Sequence, residues 1–368
     1  MNQFYEVTAV SADEQELERV AQKYGVKHHH VEMTRAISPL QDLRALWNFY
    51  LLCKQEKPFI VHSHTPKAGI VGMLGAWFAG VPHRFHTVAG LPLMEATGVK
   101  RKVLNFVERL TYAAATKVYP NSRGLYDFIV KEQLGDPSKL KVLGEGSSNG
   151  IDTAFFDPHL YSADQNQHLR RELGLKETDF VFIFVGRLVG DKGINELVTA
   201  FSKLQAEPVT ERSARTAPLK LFLVGPLETA LDPLDPETLQ EIAQNPNIIS
   251  LGYREDVRPC FAAADALAFP SYREGFPNVV LQAGAMGLPA IVTDINGCNE
   301  IIHHEENGLI IPPKNAPALA GALRRIATDT ELYTHLQKNS RPRIQQNYEQ
   351  AVVWEALLAE YRNAESHV

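Results

Sequence analysis

Cysteine is scarce: three residues in 368, at Cys53, Cys260 and Cys298. An odd number, widely separated and without zinc-ligand spacing, excludes a disulfide scaffold and reads as reduced thiols of a cytosolic protein. No run approaches about 18 apolar residues, so no transmembrane helix is expected. No signal peptide is expected either, because the opening Met1-Asn2-Gln3-Phe4-Tyr5-Glu6-Val7 is already close to strand character. There is no repeat of fixed period and no low-complexity tract. Charge of one sign is not in large excess: 37 basic and 43 acidic residues give −6. That balance argues against a general nucleic-acid binder and leaves local basic patches open. Gly-Lys-Ser and Gly-Lys-Thr are missing, so there is no Walker loop. What remains is an ordinary globular composition, 45% hydrophobic and 22% charged, long enough for two domains.

The most informative stretch runs from Ser271 to Pro289. Ala266-Leu267-Ala268-Phe269-Pro270 reads as a buried parallel strand ending at Pro270. Arg273 to Asn278 then form a tight polar turn. Pro277 suits the first position of a helix, where its missing N–H costs nothing. From Val279 the apolar spacing is helical, and Gly287 with Pro289 stops it. Ala290-Ile291-Val292 is the next strand. Glu274 therefore stands at the carboxyl end of a strand. The amides near Phe276, Pro277 and Asn278 face outward at a helix N-terminus, where open α/β sheets bind ligands and hold phosphate. Taken alone, Glu-Gly-Phe-Pro also reads as a turn that balances the helix dipole. Gln282 lies about two turns along the helix and can turn a second polar side chain toward the same crevice.

Upstream, Phe180 to Val185 is an unbroken apolar strand, followed by Gly186-Arg187-Leu188 and Asp191-Lys192-Gly193-Ile194. Gly186 allows a ligand close to the backbone. Arg187 offers a planar fork matched to phosphate oxygens, and Lys192 a point charge beside it. Leu219 to Pro226 repeats the strand-then-glycine pattern, with Gly225 in a second loop at the sheet edge. Ile248 to Val257 reads as a strand, a turn and a helix start.

Together these motifs resemble the retaining nucleotide-sugar glycosyltransferases of family 4. Their GT-B fold has two Rossmann-like α/β domains facing a cleft. The family's donor site carries a Glu, seven residues, then a second Glu; here the second position is Gln282. Its amide oxygen accepts a hydrogen bond from a ribose hydroxyl without the charge. The resemblance implies that Arg187, Lys192 and the amides from Phe276 to Asn278 stabilise charge on a leaving diphosphate. It further implies that Glu274 binds donor-sugar hydroxyls and Gln282 the ribose. The backbone around Tyr253 and Arg254 would frame the base, where the residues alone allow a plain turn. The co-substrate would be a UDP or GDP sugar, with no other cofactor. No Asp-x-Asp occurs in the chain, which fits a metal-independent enzyme whose own cations replace a divalent ion.

In the first half, Tyr5 to Ser11 alternates toward a strand and Asp13 to Tyr24 reads as a helix. In the resembling enzymes that strand is the second of the sheet, so the first domain is expected to lack its opening strand and glycine loop. Ile37 to Gln55 is expected to be a helix packed through Leu40, Leu43, Leu46, Trp47, Tyr50 and Leu51. His62 and His64, around the end of a short strand, are expected to diverge to opposite sides, which counts against a metal. The resemblance places His64, Lys67, His86 and Gly90 on the acceptor side. Many relatives carry a histidine near the reacting carbon where this chain has Ala89. His86, three residues earlier, reads as a structural or a catalytic strand-end histidine.

Val99 to Ala115 reads as an amphipathic helix, apolar at Val103, Leu104, Phe106, Val107 and Leu110, basic at Lys100, Arg101, Lys102 and Arg109. It is either an ordinary surface helix with one buried face or a helix drawn to anionic headgroups. Leu140 to Leu143 is expected to add an edge strand. Glu207 to Pro218 reads as a mobile loop. Asn149-Gly150-Ile151-Asp152 resembles the family's hinge. The expected domains are therefore 1–150 plus 350–368, and 151–349. The last helix would return to the first domain through Val353, Trp354, Leu357, Leu358 and Tyr361.

Ser63-His64-Thr65-Pro66-Lys67 and Ala89-Gly90-Leu91-Pro92 resemble bacterial capsule or surface-polysaccharide transferases acting on undecaprenyl-diphosphate-linked sugars. That implies a polyprenyl-diphosphate-linked acceptor and a cytoplasmic protein touching the inner face of the membrane through helix 99–115. Two other classes stay open. A nucleotide-sugar 2-epimerase shares the layout, though the Glu274 to Asn278 signature counts against it. A non-catalytic nucleotide-binding or assembly partner fits Ala89, Gln282 and the shortened opening.

Overall fold

The computed structural model describes residues 1–34, 38–94, 96–206, 218–230 and 232–366. The chain divides into two compact units: Met1–Ser148 with Val353–Val368, and Asn149–Val352. Ile37 and nearly all of the expected loop from Glu207 lie outside the described residues.

Unit 1 runs β1 (Thr8–Ser11), α1 (Glu14–Tyr24), β2 (Lys27–His30), α2 (Pro39–Glu56), β3 (Ile60–Ser63), α3 (Pro66–Ala79), β4 (His83–Val88), α4 (Gly98–Ala114), β5 (Lys117–Pro120) and α5 (Arg123–Lys131). Side chains start several of these helices: Asp13, Thr65 and Ser122 each accept a hydrogen bond from an amide in the first turn. The strands form two parallel sheets, β1-β2 and β3-β4-β5. The main core lies around the second sheet and includes Met73, Ala76, Val88, Val118, Leu125 and Ile129.

Two expectations fail here, one on α2 and one after α5. Leu40, Leu43, Trp47 and Leu51 are exposed, and Ala45, Leu52 and Cys53 are the buried residues of α2. The cause is close packing on the small residues of α3: a Cβ on Gly75 would come within 2.9 Å of the Phe49 ring. That contact turns the 45/49/52 face inward and the leucine–tryptophan stripe outward. The expected strand from Leu140 to Leu143 is a single bridge between Leu140 and Val118. A turn closed by Gly146 N donating to Leu143 O, with Gly144 at φ +56°, ends the pairing. β2, with the sequence Lys-His-His-His and every residue exposed, carries no apolar alternation to reveal it.

Unit 2 runs α6 (Ala163–Glu172), β6 (Phe180–Val185), α7 (Ile194–Ala206), β7 (Leu219–Val224), α8 (Pro236–Gln244), β8 (Ile248–Gly252), α9 (Arg258–Ala263), β9 (Ala266–Phe269), α10 (Asn278–Ala285), β10 (Ala290–Thr293), α11 (Cys298–Ile301), β11 (Gly308–Ile311), α12 (Ala316–Thr328) and α13 (Thr330–Tyr348). One parallel sheet takes the order β11-β10-β9-β6-β7-β8. Its apolar strands are buried on both faces, as parallel sheets under helices are. The order reverses between β6 and β9, which makes that junction the switch point of the sheet. Pro277 is the N-cap of α10 and not its first residue. α14 (Gln350–Glu365) closes the chain and belongs to unit 1 from Val353 on. Its Tyr361 and Ala364 pack with Phe85 and Tyr119, and Glu360 accepts from Tyr119 Oη at 3.1 Å and Lys141 Nζ at 2.6 Å. Trp354, expected in that packed face, is exposed.

Candidate active site at the strand ends of unit 2

Four loops gather at the carboxyl ends of β6, β7, β9 and β10. Two glycines let them touch. Gly193, at φ +71°, stands just before α7, where a Cβ would fall 2.1 Å from Pro270 O. Gly225, at φ +140°, would set a Cβ 1.9 Å from Gly186 O. Any side chain at either position would push the loops apart, so these glycines fix the spacing of the charged residues.

Lys192 leaves the β6 loop and Glu274 the β9 loop, and they meet in an ion pair across the switch point. Both side chains are more than four-fifths buried. Ser271 Oγ donates to Glu274 Oε1 at 2.9 Å. Lys192 Nζ also stands 5.8 Å from the centre of the Phe269 ring. The turn carrying Glu274 is clamped from the β10 loop: Asn296 Nδ2 donates to Glu274 O at 3.0 Å and to Gly275 O at 2.6 Å. Arg273 is held by Asp191, and Tyr272 N donates to Asp191 O at 2.9 Å. The Cys298 thiol nearby is pushed well up, by burial first and then by the charge of Glu274. A buried cation, a carboxylate with one oxygen already engaged and a clamped helix start can neutralise and orient an anionic ligand.

Arg187, at the end of β6, is half-exposed and donates through Nη1 to Glu228 Oε2 at 3.0 Å. Gly186 stands at φ +153° beside it. Phe276 and Pro277 are buried, Asn278 is exposed, and Gln282 is half-buried on α10. Tyr253 is exposed at the end of β8, and Arg254 Nε donates back to Leu251 O at 3.1 Å. Ser271, Asn296 and Glu228 were missed in the sequence. Asn296-Gly297 after an apolar strand repeats the signal that marks Gly186 and Gly225, whereas Ser271 and Glu228 have no local signature.

The unit 1 residues are differently placed. His62 and His64 do not diverge: their rings lie 4.2 Å apart. Residues two apart along a strand share a face, so the expected divergence was wrong. His62 Nδ1 is 2.8 Å from Tyr361 Oη and Nε2 is 2.8 Å from Thr87 Oγ1. Burial, then the neighbouring His64 and His86, hold His62 well below the usual imidazole range. His64 has an exposed edge, yet the packing around its base also lowers it. His86 is 2% exposed, its Nδ1 is 2.8 Å from Ser63 Oγ, and burial holds it down at about 4. A Cβ on Gly69 would fall 2.6 Å from that ring. His86 thus sits inside unit 1 and not on its surface. Lys67 is in an ion pair with Asp42 at 2.6 Å, and a Cβ on Gly90 would meet nothing within 4 Å.

Residues 1–146 match the "Glycosyl transferase 4-like domain" family, and residues 165–343 match "Glycosyl transferases group 1". The capsular polysaccharide biosynthesis glycosyltransferase CapM of Staphylococcus aureus is 32% identical over 97% of this chain and 89% of its own. An Escherichia coli UDP-Gal:alpha-D-GlcNAc-diphosphoundecaprenol alpha-1,3-galactosyltransferase is 32% identical over 85% of this chain and 77% of its own. Among solved structures, a glycosyltransferase from Rickettsia africae superposes with a TM-score of 0.79 at 18% identity, covering 100% of this chain and 92% of its own. Anabaena HepE in complex with UDP gives 0.78 at 19% identity, covering 97% and 92%. The chain belongs to the family-4 glycosyltransferases and has their GT-B fold of two Rossmann-like domains.

Proposed function

We propose that the protein transfers a sugar, with retention at the anomeric carbon, from a UDP sugar to a polyprenyl-diphosphate-linked saccharide during assembly of a bacterial capsule or surface polysaccharide. The observation that carries this reading is the buried Lys192–Glu274 pair at the switch point, with Arg187 on the same strand-end loop. Lys192 and Arg187 take up charge growing on the leaving diphosphate, and the amides at Phe276 and Asn278 add the helix dipole. Glu274 accepts hydrogen bonds from donor-sugar hydroxyls, and Gln282 accepts one from the ribose. Gly186, Gly225, Tyr253 and Arg254 frame the nucleotide. Unit 2 is thus the donor domain and unit 1 the acceptor domain, with His64, Lys67 and Gly90 toward the acceptor. UDP is favoured over GDP because UDP is named for both the E. coli relative and the HepE complex. The lipid-linked acceptor is favoured by the diphosphoundecaprenol in the names of the E. coli and Campylobacter jejuni relatives.

No helix among the described residues is long and apolar enough to cross a membrane. In this reading the protein meets its acceptor at the cytoplasmic face of the membrane, through the apolar and basic stripe of α4. Val99, Val103, Phe106 and Leu110 stand exposed along one stripe of that helix, flanked by exposed Lys100, Lys102 and Arg109. The deciding experiment incubates the chain with UDP sugars and a synthetic polyprenyl-diphosphate-linked sugar and follows the product by mass. A one-sugar extension of the lipid is expected. Release of the free sugar or its epimer, with the lipid unchanged, would end this reading.

A further inference from the structure

Arg187 is already occupied. Its Nη1 donates to Glu228 Oε2 at 3.0 Å, and the backbone sets up that meeting. Leu188 N donates to Pro226 O at 2.8 Å, Leu188 and Leu227 form a bridge, and Gly225 lets the two loops run in contact. Adjacent parallel strands, β6 and β7, thus deliver guanidinium and carboxylate side by side. Glu228 lies between exposed neighbours, Leu227 and Thr229, and is itself only partly exposed. A guanidinium offers parallel N–H donors, which a carboxylate and a phosphate fit in the same way. Glu228 takes one donor of the guanidinium and neutralises its charge, so a diphosphate meets a weaker partner while Glu228 stays in place. The second cation differs: the partner of Lys192, Glu274, has its own role toward the donor sugar, and Glu228 has none.

We propose that Glu228 is a built-in anion that holds the Arg187 seat while no nucleotide is bound and competes with the diphosphate for it. The proposal rests on reading Arg187 as a phosphate ligand. Arrival of the donor exchanges one charge pair for another, so Arg187 is paired both in the free and in the nucleotide-bound protein. The apparent affinity falls by the fraction of molecules whose seat is open. After transfer Glu228 returns to the guanidinium, and the nucleoside diphosphate is released more readily than Arg187 alone would allow.

The test is UDP binding by calorimetry to the wild-type chain, Glu228→Gln, Arg187→Ala and the double variant. Glu228→Gln is expected to bind UDP about five- to tenfold more tightly, with kcat and KM both reduced. Arg187→Ala is expected to bind at least about tenfold more weakly. In the Arg187→Ala background the Glu228→Gln gain should vanish, because the seat is gone. Glu228→Gln binding unchanged or weaker, while Arg187→Ala weakens it, overturns the competition and leaves the donor site standing. A gain that persists in the double variant also overturns it, since general repulsion would then be the cause. UDP binding indifferent to Arg187→Ala overturns the donor-site reading and this proposal together. Unaltered melting of Glu228→Gln without nucleotide checks folding.

Discussion

The two units treat polar and apolar groups in opposite ways. Unit 2 has one continuous sheet with its apolar residues inside and its charges paired in loops at one edge. Unit 1 buries the imidazole of His86 and the carboxyl of Glu108, and leaves large apolar side chains outside on α2 and α4. Burial raises the Glu108 carboxyl and lowers the imidazoles of His62, His64 and His86, so the interior of unit 1 favours neutral forms. The contrast separates two kinds of work. Paired charges on clamped loops can exchange a partner for an anionic substrate. An apolar–basic surface over a neutral interior suits contact with a lipid face.

The largest expected effect breaks the unit 2 side. Lys192→Ala should lower kcat/KM by about 10²- to 10³-fold, the usual loss for one preorganised charge donor. It also leaves the Glu274 carboxylate without its buried partner. Steady-state kinetics with a UDP sugar checks it. If activity falls less than about threefold, the pair is a structural bridge and the contrast loses its functional meaning.

The next effect belongs to unit 1 and to pH. His86 titrates near 4 in the folded protein, against 6.5 as its ordinary value. Between those values the unfolded chain binds a proton that the folded unit refuses. Stability is therefore fully present above pH 6.5 and is lost as pH falls toward 4, by about 3 kcal/mol for His86 alone. His62 and His64 shift in the same direction and add to the loss. The three tryptophans, Trp47, Trp77 and Trp354, all lie in unit 1, so their fluorescence reports the unfolding of that unit. Urea midpoints followed that way should fall from pH 7 to pH 5, and His86→Gln should flatten the slope. A flat wild-type profile would show that the imidazoles are solvated.

The same division explains what could be read in the sequence. The unbroken apolar strands of unit 2, each followed by glycine and charge, gave the order of its elements and the placing of Arg187, Lys192 and Glu274. Parallel strands buried on both faces write themselves as apolar runs, and a strand end is visible where the run stops. Glu228 was not legible, since its partner Arg187 is 41 residues away and is brought to it by sheet order, and Ser271 was not, since its bond to Glu274 depends on how the loop after β9 folds back. In unit 1 the helical spacing of Leu40, Leu43, Trp47 and Leu51 was correct, but spacing does not tell which side of an amphipathic helix is covered. The small residues of α3 decide that, and only the packed structure shows them. β2 left no apolar trace at all.

The smallest expected effect tests that outward face. α4 exposes Val99, Val103, Phe106 and Leu110 together with Lys100, Lys102 and Arg109, and its acidic residue, Glu108, is buried. Arg101 on the same helix is turned away: it donates to Glu132 at 2.9 Å and to Leu93 O at 2.6 Å. Each lysine near an anionic surface contributes about 1 kcal/mol, so Lys100→Gln with Lys102→Gln should weaken binding to phosphatidylglycerol vesicles by about 30-fold. Binding to phosphatidylcholine vesicles should not respond, because no surface charge is there to lose. Arg101→Gln is the discriminating control. It should lower the melting temperature through its lost contacts and leave vesicle binding nearly unchanged. Equal losses from Arg101→Gln and the double lysine variant would mean that folding, not charge, governs binding. No loss from the lysine variant would return α4 to an ordinary surface helix and leave unit 1 without a reason for its exposed apolar face.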